Sequence, residues 1–256
     1  MLGLGLVKKA PRTLATVLLF IAGTLLVFLL LGCIDNAPAF SDVYVIEFQF
    51  NPHSGLYDSV TSSYTSHNQS IADMKLRSGY LNVCGTSKVT GTICTPKANM
   101  TALSEFTSLN LYNGNETLAS VDPVELASAF SKGVINPFLL CISLACTALA
   151  VVASVTPVSP VSPKGAILST VVLGLTCASW LFWTIGAIWQ QVAAISASTM
   201  VNEATMTILK GTPGGRATGM TWTVFAFHTL AIIIILAVRR RENLERVRGA
   251  MAKEDA

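Results

Sequence analysis

Four stretches of this chain, residues 13–32, 134–155, 166–189 and 220–238, contain no Asp, Glu, Lys or Arg. Each is close to the roughly 20 helical residues that cross a hydrocarbon core. A bilayer offers the backbone no water to bond, so an isolated apolar run of this length must be a helix. The expected fold is therefore a membrane α-helical one, a four-transmembrane-helix bundle. The charged fraction of 12% is half the roughly 25% of a soluble domain, and the deficit lies in these runs.

The connections set the domain organisation. Residues 1–12 carry Lys8, Lys9 and Arg12, and residues 156–165 form a short proline-broken loop ending near Lys164. Residues 239–256 open with Arg239, Arg240 and Arg241. Basic residues concentrated on one side place both termini and the 156–165 loop in the cytosol. That leaves residues 33–133 and 190–219 outside, and the first half of the second loop could extend the third helix. Two cleaved readings compete for the first run, a secretory signal peptide and a lipoprotein site at Leu30-Leu31-Gly32-Cys33. The run is longer than a signal peptide's apolar core of about 7–15 residues. Glycosylation acceptors in the large loop weigh against the lipoprotein.

Those acceptors are Asn68, Asn99 and Asn115, each in an Asn-x-Ser/Thr frame and each within residues 33–133. The same segment reads as a β-rich domain. A strand is expected over residues 41–50, a turn at Asn51-Pro52 and another strand from residue 71 to residue 83. A short helix is expected after Pro123. The stretch 211–216 (GTPGGR) reads as a flexible linker, because it lacks the Lys-Ser/Thr ending of a phosphate-binding loop.

Cys84 and Cys94 lie in an oxidising compartment on this topology, and a structural disulfide is the favoured reading. The alternative is a redox or metal pair, but the spacing is not CxxC and no histidine is near. His228 is the one Asp, Glu, Lys, Arg or His within a span, and reads as neutral and bonded to a neighbouring helix. Ala166, Thr170, Gly174 and Ala178 recur every fourth residue, a helix-packing stripe read mainly as bundle-internal. Its functional alternative is association with copies of the chain or with another channel. Asp35, Asp42, Glu47, Asp58 and Asp73 lack the spacing of a calcium loop. No catalytic set, metal cluster or cofactor motif is present, and a net charge of +3 gives no reason to expect nucleic acid. Membrane lipids are the expected contact of the basic tail.

Gly79, Tyr80, Leu81, Asn82 and Cys84, with Cys94 following, resemble a fungal motif: Gly, two apolar residues, Gly, any residue, Cys, then a later Cys. Together with the layout of spans, they resemble the claudin-like tetraspan family of pheromone-induced regulators of low-affinity calcium influx and mating-cell membrane fusion. The resemblance implies a plasma-membrane glycoprotein with a claudin-like fold, acting as a regulator. A calcium channel or further copies of the chain would be its partners. The cortical-patch and pH-sensing tetraspans, structural organisers of membrane domains, share the layout. Asn82 stands where the family has its second glycine. Asparagine tolerates positive φ, so the same turn is expected to form. The tryptophan of vertebrate claudin loops is absent from residues 33–133.

Overall fold

The computed structural model describes residues 2–55, 57, 74–88, 91–99, 103, 109–113, 116–121, 123–156 and 163–254. Its contacts divide into two units, a helical one (1–27, 138–186 and 221–256) and a sheet-bearing one (28–137 and 187–220).

Four long helices enter the helical unit: α1 (Leu2–Leu30), α4 (Phe138–Val155), α5 (Pro163–Ala204) and α6 (Gly215–Glu254). Each contains a segment long and apolar enough to cross a membrane, so this is a multi-pass membrane protein. Leu19, Ala150 and Ala231 meet at the centre, with Leu175 and Ile235 against them. Phe20, Val152, Ile167 and Ile233 point outward and are more than half exposed, as lipid-facing side chains should be. Lipid tails are as apolar as these side chains, so close packing and interhelical hydrogen bonds must hold the bundle instead.

The helices overrun or fall short of the apolar runs where local chemistry dictates. Pro137 precedes α4 rather than entering its first turn, and a residue before proline is disfavoured in the α region. The second span thus begins at Phe138, four residues after the start of the uncharged run. Val134 and Ile135 instead return their N–H groups to the Phe130 carbonyl. The third helix does not stop at residue 189. No glycine or proline interrupts residues 187–204, and α5 continues to Ala204.

The sheet-bearing unit holds a five-stranded antiparallel sheet in the order β4-β3-β2-β1-β7. Its strands are β1 (Ile46–Phe50), β2 (Lys75–Ser78), β3 (Asn82–Ser87), β4 (Gly91–Pro96) and β7 (Leu209–Pro213). A separate hairpin pairs β5 (Leu109–Asn113) with β6 (Glu116–Val121). Phe48, Leu76 and Val83 are buried, and Phe48 meets Phe130 of α3 (Pro123–Gly133) edge to face at 6.3 Å.

Two expectations are corrected here. The strand expected over residues 41–50 is shorter: Ser41 ends a one-turn helix, α2 (Pro38–Ser41), and pairing starts at Ile46. The presumed linker 211–216 is structured. Its first residues complete β7, with Gly211 opposite Phe48 and Pro213 opposite Ile46, and Gly215 opens α6. Gly214 is required by proximity, because a Cβ there would lie 1.8 Å from the Tyr44 carbonyl oxygen.

Candidate functional site

The β2–β3 turn and the disulfide rest on one short piece of backbone. β2 ends at Ser78 and β3 begins at Asn82, so Gly79-Tyr80-Leu81 form the turn, closed by the Gly79 N–H donating to the Asn82 carbonyl at 2.9 Å. A Cβ on Gly79 would stand 2.6 Å from the Gly32 carbonyl oxygen and 3.2 Å from the Cys33 Cβ. Only glycine lets the turn sit this close. Cys84 faces Cys94 across β3 and β4, and the two are joined by a disulfide. Its sulfurs contact the same segment, Cys84 at 3.4 Å from the Cys33 carbonyl and Cys94 at 3.5 Å from the Asp35 carbonyl. The motif is thus a seat for residues 32–35, the segment following the first span.

Asn82 does not adopt positive φ; it is a buried strand residue paired with Pro96. The second motif position therefore needs no left-handed residue here, because the sharp turn falls one to three residues earlier. Cys33 takes the left-handed conformation instead, with φ of 62°, while its N–H donates to the Phe40 carbonyl at 2.9 Å. Its thiol is buried near the Val43 and Arg77 carbonyls. Burial, aided by Asp42 and opposed by Arg77, pushes that thiol up to about 12.

Tyr80 is buried, and its hydroxyl, pushed up by burial, donates to Gln190 Oε1 of α5. The Leu81 carbonyl accepts from the Lys97 N–H at 3.1 Å. The Lys97 ammonium, lowered by burial, donates to the Ser131 and Ile135 carbonyls, both at 3.3 Å. It thereby occupies the Ser131 carbonyl in the last turn of α3 (Pro123–Gly133), one of those that helix geometry leaves without partners, and a second carbonyl just beyond the helix.

Beside the seat lies an ionic clamp. Arg77 stands opposite Cys84 on one side and Glu47 on the other. Its Nε donates to Glu47 at 2.7 Å, and its Nη1 to Asp42 at 2.9 Å and to the Ser41 carbonyl at 3.2 Å. The guanidinium lies 4.9 Å from the Tyr44 ring centre, and Arg216 takes the other Asp42 oxygen at 3.0 Å. Burial opposes the Arg77 charge, but Glu47 above all, then Tyr44 and Asp42, outweigh it and raise the group above its ordinary value. Asp42 and Glu47 are therefore already engaged by arginines. Among the described residues, no three His, Cys, Asp or Glu side chains converge as a metal site would require.

The helical unit contains a second polar cluster. His228 Nδ1 lies 3.0 Å from the Val224 carbonyl, which can only accept, so Nδ1 carries a proton. The hydroxyls of Thr147 and Ser179 are in reach of Nε2 at 3.0 and 3.1 Å, and Ser179 also meets Ser143 at 2.8 Å. Three helices are thereby bonded through one histidine.

The remaining expectations find varied places. Asn99 is exposed in the turn after β4, whereas Asn68 and Asn115 lie outside the described residues, as do Asp58 and Asp73. The small-residue stripe does not form the buried face of α5. Thr170 and Gly174 are exposed and Ala166 and Ala178 half-buried, while Val172, Thr176, Ser179 and Trp183 point inward. The helix is rotated so that bulkier and hydroxyl-bearing residues meet the bundle. Arg77 and the three hydroxyls around His228 were not anticipated. An arginine alternating with apolar residues in a strand, with acidic residues on a candidate neighbouring strand, was the available signal for the clamp.

The factor-induced gene 1 protein of Saccharomyces cerevisiae is 26% identical over 262 residues, covering 93% of this chain and 87% of the relative. The family model for the Ca2+ regulator and membrane fusion protein Fig1 matches residues 60–241, which take in the glycine–disulfide seat, Arg77 and the last three spans. With well over half of its length matched in this way, the chain belongs to the Fig1 family.

Proposed function

We propose that this protein is a tetraspan of the fungal plasma membrane that regulates low-affinity calcium influx and promotes membrane fusion during mating. Both termini lie in the cytosol and the sheet-bearing unit faces outside. The observation that carries the reading is the Gly79–Cys84–Cys94 seat, which lies within the family match and is built into the fold by contacts to residues 32–35. In this reading the seat fixes the shape of an outer surface against the end of the first span, and a separate calcium channel is its partner. The bonded His228 cluster and the arginine-engaged Asp42 and Glu47 support a regulator rather than a pore. No catalytic step is assigned to it.

The test is calcium uptake and cell fusion in pheromone-treated cells lacking this protein, complemented with wild type or with Cys84→Ser, with surface amounts matched. Loss of both activities on deletion, restored by wild type and poorly by Cys84→Ser, is expected. Unaltered uptake and fusion on deletion would refute the regulatory role. Full rescue by Cys84→Ser would remove the seat from the account.

A further inference from the structure

The helical unit has a cleft at the end of the bundle where α1 begins and α6 ends. It is a small recess, partly open to the surface, with an enclosed volume of about 30 Å³. Arg12 and Thr16 of α1, Ser154 of α4, Ser169 of α5 and Ile235 and Glu242 of α6 line it. Arg12 and Glu242 are half-buried, and neither makes an ion pair with the other or with any described residue. Opposite charges that share a partly dry cleft without pairing leave two complementary demands unmet.

The hydroxyls narrow what could meet them. Thr16 donates its proton to the Arg12 carbonyl at 3.0 Å, and Ser154 donates to the Ala150 carbonyl at 2.7 Å. Both oxygens therefore present only lone pairs to the cleft. The site then offers one strong donor, Arg12, and a set of acceptors formed by Glu242, Thr16 and Ser154, with Ser169 free to do either. A phosphate suits the first, since a guanidinium fork matches phosphate oxygens. A primary ammonium suits the second, because its three N–H donors can reach a carboxylate and hydroxyl oxygens together. The apolar floor of Val172 and Ile235 belongs to membrane-spanning segments, which favours a ligand attached to acyl chains.

We propose that this cleft binds the headgroup of phosphatidylethanolamine, with Arg12 holding the phosphate and Glu242, Thr16 and Ser154 receiving the ammonium. A choline headgroup has no N–H to donate, and a glycerol or serine headgroup brings negative charge or loses the cation that Glu242 needs. One charge-assisted hydrogen bond corresponds to roughly a tenfold preference for ethanolamine over choline.

The experiment is native mass spectrometry of the full chain released from nanodiscs of equal phosphatidylethanolamine, phosphatidylcholine and phosphatidylglycerol. Wild type is expected to retain phosphatidylethanolamine about tenfold over phosphatidylcholine. Glu242→Gln should bring the two lipids to parity, and Arg12→Gln should reduce retention of both. Ser169→Ala, which removes no charge and no existing bond, keeps the test valid if a charge variant is unstable, and should narrow the preference. Equal retention by wild type, preference for phosphatidylglycerol, or a preference untouched by all three variants would overturn the assignment. Displacement by millimolar soluble phosphoethanolamine would likewise overturn it, by showing that the acyl chains contribute nothing.

Discussion

Replacing Gly79 by alanine adds a single methyl group at the one place where two backbone segments touch. The methyl would lie 2.6 Å from the Gly32 carbonyl oxygen, 3.2 Å from the Asn82 carbonyl oxygen and 3.2 Å from the Cys33 Cβ. None of these is the far end of a flexible side chain, so the backbone itself must give. Overpacking of this kind costs typically 1–3 kcal/mol, and backbone neighbours place it at the upper end, about 3 kcal/mol. Alanine also narrows the unfolded ensemble, which stabilises by about 0.4–1 kcal/mol. The clash wins by about 2 kcal/mol, or a drop of roughly 4–8 °C in melting temperature for a protein of this size. Gly55→Ala is the matched control, since a Cβ there meets nothing within 4 Å and the backbone is not left-handed. Thermal unfolding of both variants in the same detergent, followed by tryptophan emission and by circular dichroism, measures the difference. If Gly79→Ala melts with Gly55→Ala, the contact between the turn and residues 32–33 is not a constraint, and the argument for the seat fails.

Three further outcomes are expected. Arg77→Met strands the buried Glu47 and leaves Asp42 with Arg216 alone, at about 3–5 kcal/mol for a broken buried pair, and Arg77→Met with Glu47→Gln should recover much of the loss in a double-mutant cycle. Cys33, held protonated in the fold up to about 12, contributes stability that is present below the ordinary thiol value near 9 and lost as pH rises between the two. Melting temperatures measured from pH 8 to 11 should therefore fall more steeply for wild type than for Cys33→Ala, and equal slopes would contradict the burial. Gly214→Ala should lift β7 from β1, because its methyl would overlap the Tyr44 carbonyl, and amide exchange should rise across Ile46–Phe50 and Leu209–Pro213.

The membrane spans were readable because absence of charge over a bilayer's length has one structural solution. The motif was readable as residues but not as a shape. Nothing local to Gly79 says that its neighbour is Gly32, some 47 positions earlier, and so the glycine was legible only as a turn former. Asn82 misled for the same reason: a residue apt for positive φ is also able to sit in a strand, and pairing with Pro96 decides. β7 was hidden in a glycine- and proline-containing stretch whose pairing partner lies two spans away. On α5 the four-residue spacing of Ala166, Thr170, Gly174 and Ala178 was real, but a period fixes that a face exists, not which way it turns. The buried row of Val172, Thr176, Ser179 and Trp183 shares the same helical period. The clamp escaped because its members, Asp42, Glu47, Arg77 and Arg216, are scattered singly and only the strand register assembles them.

The sheet order has a consequence for how this chain is made. β1 is paired on one side by β2, which follows it closely, and on the other by β7, which is synthesised only after α4 and α5. A nascent chain therefore carries an unfilled β1 edge through the insertion of both helices, and an open edge invites wrong pairing. The edge closes only if those two helices have crossed in opposite directions and returned the chain to the side on which β1 waits. Should either span fail to insert, residues 209–213 emerge on the wrong face of the bilayer and the sheet stays incomplete. Completion of a strand outside the membrane thus reports on the correct threading of the helices within it.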